Sequence, residues 1–334
     1  MITVLEPRPS GHRKLGRRAA AGCAALALAA FIVGLSAVPA FAVTCSGGAT
    51  MTIDVAGGES IALSLTGEAD PLAIVVTPSD PGCGGFDTST VTAIKVNGTD
   101  GNESITIDQS GSAPFPHQNS TSIDLALGAG ADALVIAGQS TADSIGFGAD
   151  GIGLDAGGTP DVTGIGTVES FTVDAGGGDD TVSGKGGGGL GAEFPTAITI
   201  HGEAGNDALT GGSGNDTSSG GTGSDTLDGG AGSDGVSGGD GNDTVDGDAG
   251  KDRLKGGDDG DTLDGGGGND ALTAGGGDDV VIGRYGNDVL GGGGGDDDVN
   301  GGPGRDQLSG GPGKDRCLGG PDPDSITGCE SGHP

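Results

Sequence analysis

From Gly202 to Thr327 the chain repeats every nine residues without a slip, in fourteen blocks that begin at 202, 211, 220 and so on to 319. Blocks such as GGSGNDTSS (211–219), GGTGSDTLD (220–228) and GGDGNDTVD (238–246) share one pattern. The sixth position is always Asp: Asp207, Asp216, Asp225, Asp234, Asp243, Asp252, Asp261, Asp270, Asp279, Asp288, Asp297, Asp306, Asp315 and Asp324. The eighth position is aliphatic in twelve of the fourteen blocks, Ser218 and Cys317 being the exceptions. Its neighbours at seven and nine are mostly polar or small, which predicts a three-residue strand with only its centre turned inward. The six preceding residues form a turn whose glycines allow positive φ and close backbone approach. Two strands and two turns make a coil of 18 residues, and seven such coils stacked at ~4.8 Å form a rod roughly 30 Å long. Aspartates 18 apart, such as Asp225 and Asp243, then stand one above the other. A stack of carboxylates at that spacing repels itself unless a cation lies between the rungs.

Composition narrows the partner. The formal net charge is -34, and beyond the basic start of the chain it falls to about -38 (47 acids against 9 bases). Nucleic acid and anionic membrane surfaces need basic partners, so both are excluded, and divalent cations are the natural ligands. Aromatic residues make up 2 % and Trp is absent, which argues against a conventional core. Gly/Asp-rich sequence is often disordered, but the strict period and the apolar eighth position argue for order once a cation is present.

Residues 1–42 read as an export signal: a basic stretch ending at Arg17-Arg18, an alanine-rich apolar run from Ala19 to about Val38, and a small-x-small cleavage site at Ala40-Phe41-Ala42. A retained membrane anchor is the alternative reading, though alanine richness and the cleavage site favour removal. No later segment is apolar enough to cross a membrane, so the expected location is extracellular, with attachment to the cell surface open. Cys23 falls within the signal. Cys45, Cys83, Cys317 and Cys329 remain, which suggests two disulfides in an exported chain. Three connectivities are open, and sequence proximity favours Cys45 with Cys83 and Cys317 with Cys329. Free thiols or a zinc site are the alternatives, but His117, His201 and His333 show no ligand spacing.

Between 43 and 200 the period loosens. Short β-branched runs recur between Gly, Asp and Asn, among them 52–55, 61–65, 91–96, 123–127, 171–173 and 197–200, and no helical period appears. Degenerate copies of the repeat surface at 98–106, 128–134 and 175–183, with Glu103, Asp132 and Asp180 at the acidic position. This region is expected to be an irregular, longer-coil β-solenoid leading into the short-coil array, its end stapled by Cys45 and Cys83. A separate small β-sandwich near 43–115 is the alternative.

The blocks closely resemble the RTX, or hemolysin-type, calcium-binding family, whose pattern is GGxGxDxUx with U a large aliphatic. The resemblance covers 202–327 well and 98–200 loosely. It implies an all-β fold, a right-handed parallel β-roll, with calcium ions held between adjacent turns. It assigns the carboxylate ligand to the fourteen aspartates and, in the looser region, to Asp180. Several blocks depart from the pattern: Glu203, Asp248 and Arg284 replace the second-position glycine, Asp259 and Asp322 the fourth, and Pro323 stiffens the last turn. Sites on those turns are expected to be weak. Twelve gaps between like turns set the expected upper bound on ions, each held at ~0.1–1 mM as in extracellular calcium modules.

The function this supports is a secreted calcium-binding repeat protein that folds on binding calcium, with a structural, surface or interaction role and no catalysis. The alternative is a secreted enzyme or adhesin in which the roll is an accessory. The chain lacks HExxH, GxSxG, a Cys/His nucleophile pair and a phosphate loop. Ice binding would require a ladder of Thr at the third position, where only Thr222 occurs. A cell-surface or polymer partner stays open.

Overall fold

The computed structural model describes strands from Ala42–Thr44 to Ser122–Ala126 and then residues 131–332 apart from 140, 142, 155–161 and 188–189. Residues 1–41 of the export signal, Cys45, Cys83 and Glu103 lie outside the described residues. The described chain is all-β apart from one 3-10 turn, Ile165–Thr167. Two long sheets of 16 and 14 strands face each other, and the strands of successive blocks alternate between them. This is a parallel β-solenoid of about seven turns over 199–327.

The nonapeptide explains the geometry directly. Thr226–Asp228 pairs in parallel with Thr244–Asp246, and that with Thr262–Asp264, each residue opposite its counterpart one coil on. The facing sheet does the same, with Leu254 opposite Val236 and Leu272. Three-residue strands carry the burial pattern exposed, buried, intermediate, so only the eighth position turns inward. Glycines at the fourth position let the coils close up. Gly223 has φ +132°, and a Cβ there would run into the carbonyl oxygen of Gly205 in the preceding coil. At four of the five departures from glycine at the second and fourth positions the backbone keeps the glycine conformation, Glu203, Asp248, Asp259 and Arg284 all having positive φ, and Asp322 in the last block is the exception. A third, three-stranded sheet arises on one edge from the turns Ala231–Gly232, Ala249–Gly250 and Gly267–Gly268.

The two sheets run on past His201 toward the N-terminus. Ile198–Ala204 pairs with Thr217–Thr222 on one side and with Ser170–Asp174 on the other, which pairs in turn with Ala133–Ala137. Coils lengthen here, and antiparallel excursions such as Ser144–Gly148 against Gly151–Gly153 are inserted. The apolar interior is continuous from Ile105 to Cys317. Phe147, Phe171 and Phe194 meet at ring-centroid distances of 5.0–6.2 Å just where long coils give way to short ones. Low aromatic content argued against such a core, but three rings concentrated at one place supply it locally.

Two eighth-position residues depart from expectation. Ile326 is 42 % exposed, because no further full coil covers it. Ser218 is buried as predicted, but its Oγ has no hydrogen-bond partner. The expected disulfide between Cys317 and Cys329 is formed, with Cα atoms 6.0 Å apart.

Candidate metal sites between the turns

The sixth-position aspartates do not project outward. From Asp207 to Asp315 all are at most 3 % exposed, each lying under its own turn. One carboxylate oxygen is consumed by the scaffold. Oδ1 of Asp225 accepts the backbone N–H of Asp207 at 2.8 Å, Oδ1 of Asp243 that of Asp225 at 2.8 Å, and Oδ1 of Asp261 that of Asp243 at 2.8 Å. The chain of bonds continues through Asp279 and Asp297 to Asp315. On the opposite edge the same ladder links Asp216, Asp234, Asp252, Asp270, Asp288, Asp306 and Asp324. Every bond spans 18 residues, one coil. The sequence therefore brings each aspartate onto its neighbour as expected.

The other oxygen is left over. Oδ2 of Asp207, Asp225, Asp234, Asp243, Asp252, Asp261, Asp270, Asp279, Asp288, Asp297, Asp306 and Asp315 is buried with no hydrogen-bond partner. Two rungs differ. Oδ2 of Asp216 accepts the N–H of Gly212 at 2.7 Å, and Asp324, on the uncovered last coil, is only partly buried. A buried polar atom without a partner is rare and costly, and an ionised carboxylate in that state costs several kcal/mol. One such atom could be tolerated; a dozen in register mark places where a cation belongs.

The glycines show the shape of that place. A Cβ on Gly220 would meet Oδ2 of Asp225 and the carbonyl oxygen of Gly238; on Gly202, Oδ2 of Asp207 and the carbonyl of Gly220; on Gly301, Oδ2 of Asp306 and the carbonyl of Gly319. At these three positions the space beside the first-position glycine is thus bounded by the free oxygen of its own aspartate and a backbone carbonyl of the next coil. Among the described residues no three His, Cys, Asp or Glu side chains converge, so a metal would draw on one carboxylate per turn and on main-chain oxygens. All-oxygen donors from flexible glycine turns suit calcium better than magnesium, which demands tight octahedral geometry, or zinc, which favours nitrogen and sulfur. Ala274 alone fills a first position with a methyl, against the Asp279 rung.

The electrostatics agree. Burial pushes the Asp234 carboxyl up to about 7, opposed by the hydrogen bond from Asp216 and helped by the charges of Asp216 and Asp252. Burial likewise lifts Asp225, Asp252, Asp261 and Asp288 to about 6, again against the backbone hydrogen bond each accepts. Without a cation these groups take up protons as pH falls through 7 to 6.

The ladder continues beyond the regular array. Asp180 is 1 % exposed, its Oδ2 is unpartnered, and burial lifts it to about 6; its N–H donates to Oδ1 of Asp207 across 27 residues. The N–H of Asp143 donates to Oδ1 of Asp180 across 37. Oδ2 of Asp143, however, accepts the N–H of Gln139 at 2.6 Å. The N–H of Asp132 donates to Oε2 of Glu169, also across 37. Counting like turns in the strict array alone, at twelve gaps, therefore leaves out rungs at the N-terminal end. Sequence reading passed over Asp143 and Glu169, although each begins an acid-x-apolar triplet (Asp143-Ser144-Ile145, Glu169-Ser170-Phe171) that matches the phase of the repeat.

It also passed over a second ladder at the fifth position. Oδ1 of Asn206 accepts the N–H of Ser224, Asn242 that of Gly260, Asn269 that of Asn287 and Asn287 that of Arg305. Asp278 and Asp296 do the same for Asp296 and Lys314. Here the acceptor belongs to the earlier coil; at the sixth position it belongs to the later one. The paired ladders clamp neighbouring turns from both directions and hold the intervening space open.

The RTX calcium-binding nonapeptide repeat matches this chain in four tandem copies, at residues 199–218, 219–254, 255–290 and 291–326. No curated protein matches the chain in sequence.

Proposed function

We propose, from the RTX calcium-binding repeats that fill residues 199–326, that the protein is secreted, binds several calcium ions between its turns, and folds its roll as it does so, serving a structural or surface role without catalysis of its own. The supporting observation is the row of buried, unpartnered Oδ2 atoms on twelve of the fourteen turns, most of them beside a main-chain carbonyl of the next coil. Calcium bound there supplies positive charge to oxygens that otherwise repel one another. The chain's own part is to fix Oδ1 in the backbone ladder, aim Oδ2 inward, and exclude water by close glycine packing.

Energetics favour coupling of folding to binding. At about -38 the mature chain repels itself, and its unfolded state can keep every carboxylate hydrated. Binding free energy therefore becomes folding free energy. A chain leaving the cell through an export signal would meet low calcium inside and high calcium outside, and would order only after export. The formed Cys317–Cys329 disulfide accords with an oxidising destination. Far-ultraviolet circular dichroism of the full chain, with calcium and with a chelator, tests the reading: a large calcium-dependent gain of β signal is expected, and an unchanged β spectrum rejects it. Hydrolase screening of the same protein is expected to find no activity.

A further inference from the structure

The array stops being periodic after Thr327, yet the ladder does not. The last strand, Ser331–Gly332, pairs in parallel with Arg316–Leu318, Arg316 opposite Ser331. That register is 15 residues long, where every earlier coil of the array takes 18. The missing residues come out of the turn: the six-residue GGxGxD is replaced by Gly328-Cys329-Glu330. Glutamate, one methylene longer than aspartate, takes the acidic position of this shorter turn. The N–H of Asp315 donates to Oε2 of Glu330 at 2.7 Å, as the N–H of Asp297 donates to Oδ1 of Asp315, and the N–H of Glu330 returns a bond to the carbonyl of Asp315 at 3.1 Å.

The rest of a site is present beneath it. Asp315 is fully buried, and its Oδ2 has no partner. The space beside Gly310 is bounded by that Oδ2 and by the carbonyl oxygen of Gly328, the same pair of donors found inside the array. One covalent feature holds the shortened turn. Cys329 is bonded to Cys317, which is 1 % exposed and occupies the inward eighth position of the preceding block. The disulfide anchors the residue next to Glu330 to the core. Among the described residues no strand covers this last coil, and the disulfide is the one covalent tie on its tail.

We propose that Gly328 and Glu330 complete a terminal calcium site over Asp315, outside the recognised repeats, and that the Cys317–Cys329 disulfide latches it, so that this one site exists only in the oxidised protein. The inference rests on the calcium reading above and adds a redox dependence to it. Reduction frees Gly328-Cys329-Glu330 from the core while leaving the turns inside the array untouched.

Counting bound calcium per chain by equilibrium dialysis of the full-length protein tests it, on oxidised wild type, the same protein reduced with a thiol, C329S and E330Q. Oxidised wild type is expected to bind the largest number, and each of the other three one ion fewer, with E330Q insensitive to reduction. E330Q keeps its disulfide, so its deficit cannot come from loss of the latch. If E330Q binds as many ions as wild type, the Glu330 carboxylate does not complete the site and the proposal fails. If reduction and C329S leave the count unchanged while E330Q lowers it, the latch fails. If oxidised wild type binds none, the calcium reading itself falls, an outcome separate from the other two.

Discussion

Coils before His201 and coils after it are built on one plan but held together differently. In the longer coils the strands of one sheet turn two apolar side chains inward, Leu134 and Ile136, Phe171 and Val173, Ile198 and Ile200, while Thr181–Ser183 on the other turns only Val182. In the short coils a strand turns one side chain inward, such as Leu227, Val245 or Leu263, and the turns from Asp207 to Asp315 each bury a carboxylate as well. The first region leans mainly on burial of Ile and Phe against chain entropy, with only a few buried carboxylates such as Asp132 and Asp180. The second has roughly half the apolar contribution per strand and a large desolvation cost to offset. The difference teaches that shortening a coil to 18 residues trades hydrophobic core for a dependence on cations.

Chelation is the largest expected effect. Hydrogen exchange of the full chain with calcium removed is expected to show amide protection lost over 202–327 and retained over 131–183. Uniform loss, or uniform retention, would break the comparison.

Acid is expected to act next most strongly, and in opposite senses with and without the ion. The folded-state values of Asp225, Asp234, Asp252, Asp261 and Asp288 stand at about 6 to 7 against 3.8 for the free group. A raised carboxyl binds more protons folded than unfolded, so its contribution to metal-free stability is complete below about pH 4 and disappears as pH rises through 6 to 7. The chelated chain is therefore expected to gain β signal on acidification from pH 7.5 to 4. The calcium-loaded chain is expected to lose its ions over the same range as protons compete for Oδ2.

Core truncations sharpen the contrast. Phe171→Ala removes one ring of the three-phenylalanine cluster and is expected to cost about 3–5 kcal/mol whether or not calcium is present. Leu263→Ala is expected to cost about 2–5 kcal/mol by the same rule, read as a higher calcium concentration for half-folding. Ser218→Val goes the other way. Its hydroxyl is buried without a partner, and replacing it is expected to add about 1–2 kcal/mol to the thermal stability of the loaded protein. Smallest is Asn242→Ala, which deletes the acceptor for the N–H of Gly260 and is expected to cost about 1 kcal/mol in denaturant unfolding.

The period alone revealed the 18-residue coil, the inward eighth position and the vertical stacking of Asp225 on Asp243, because a strict repeat forces each residue onto its own copy. It did not reveal that the aspartates are buried, since charge normally argues for exposure, nor that one oxygen of each is tied to the main chain. The fifth-position Asn ladder was hidden by irregular occupancy, Ser224, Ser233, Lys251 and Gly260 interrupting it. Asp143 and Glu169 were hidden by spacing, because coils of 27 and 37 residues have no fixed period. Glu330 followed from no sequence rule, its role depending on a turn shortened by three residues and a disulfide beside it.

A crystal structure of the oxidised full-length chain grown in millimolar calcium tests the central claim most directly. The account predicts an ion in contact with Oδ2 of Asp225, Asp243 and Asp261 and with the first-position carbonyl of the coil that follows each. Those oxygens left dry, or turned out to solvent with no ion between the coils, would contradict it.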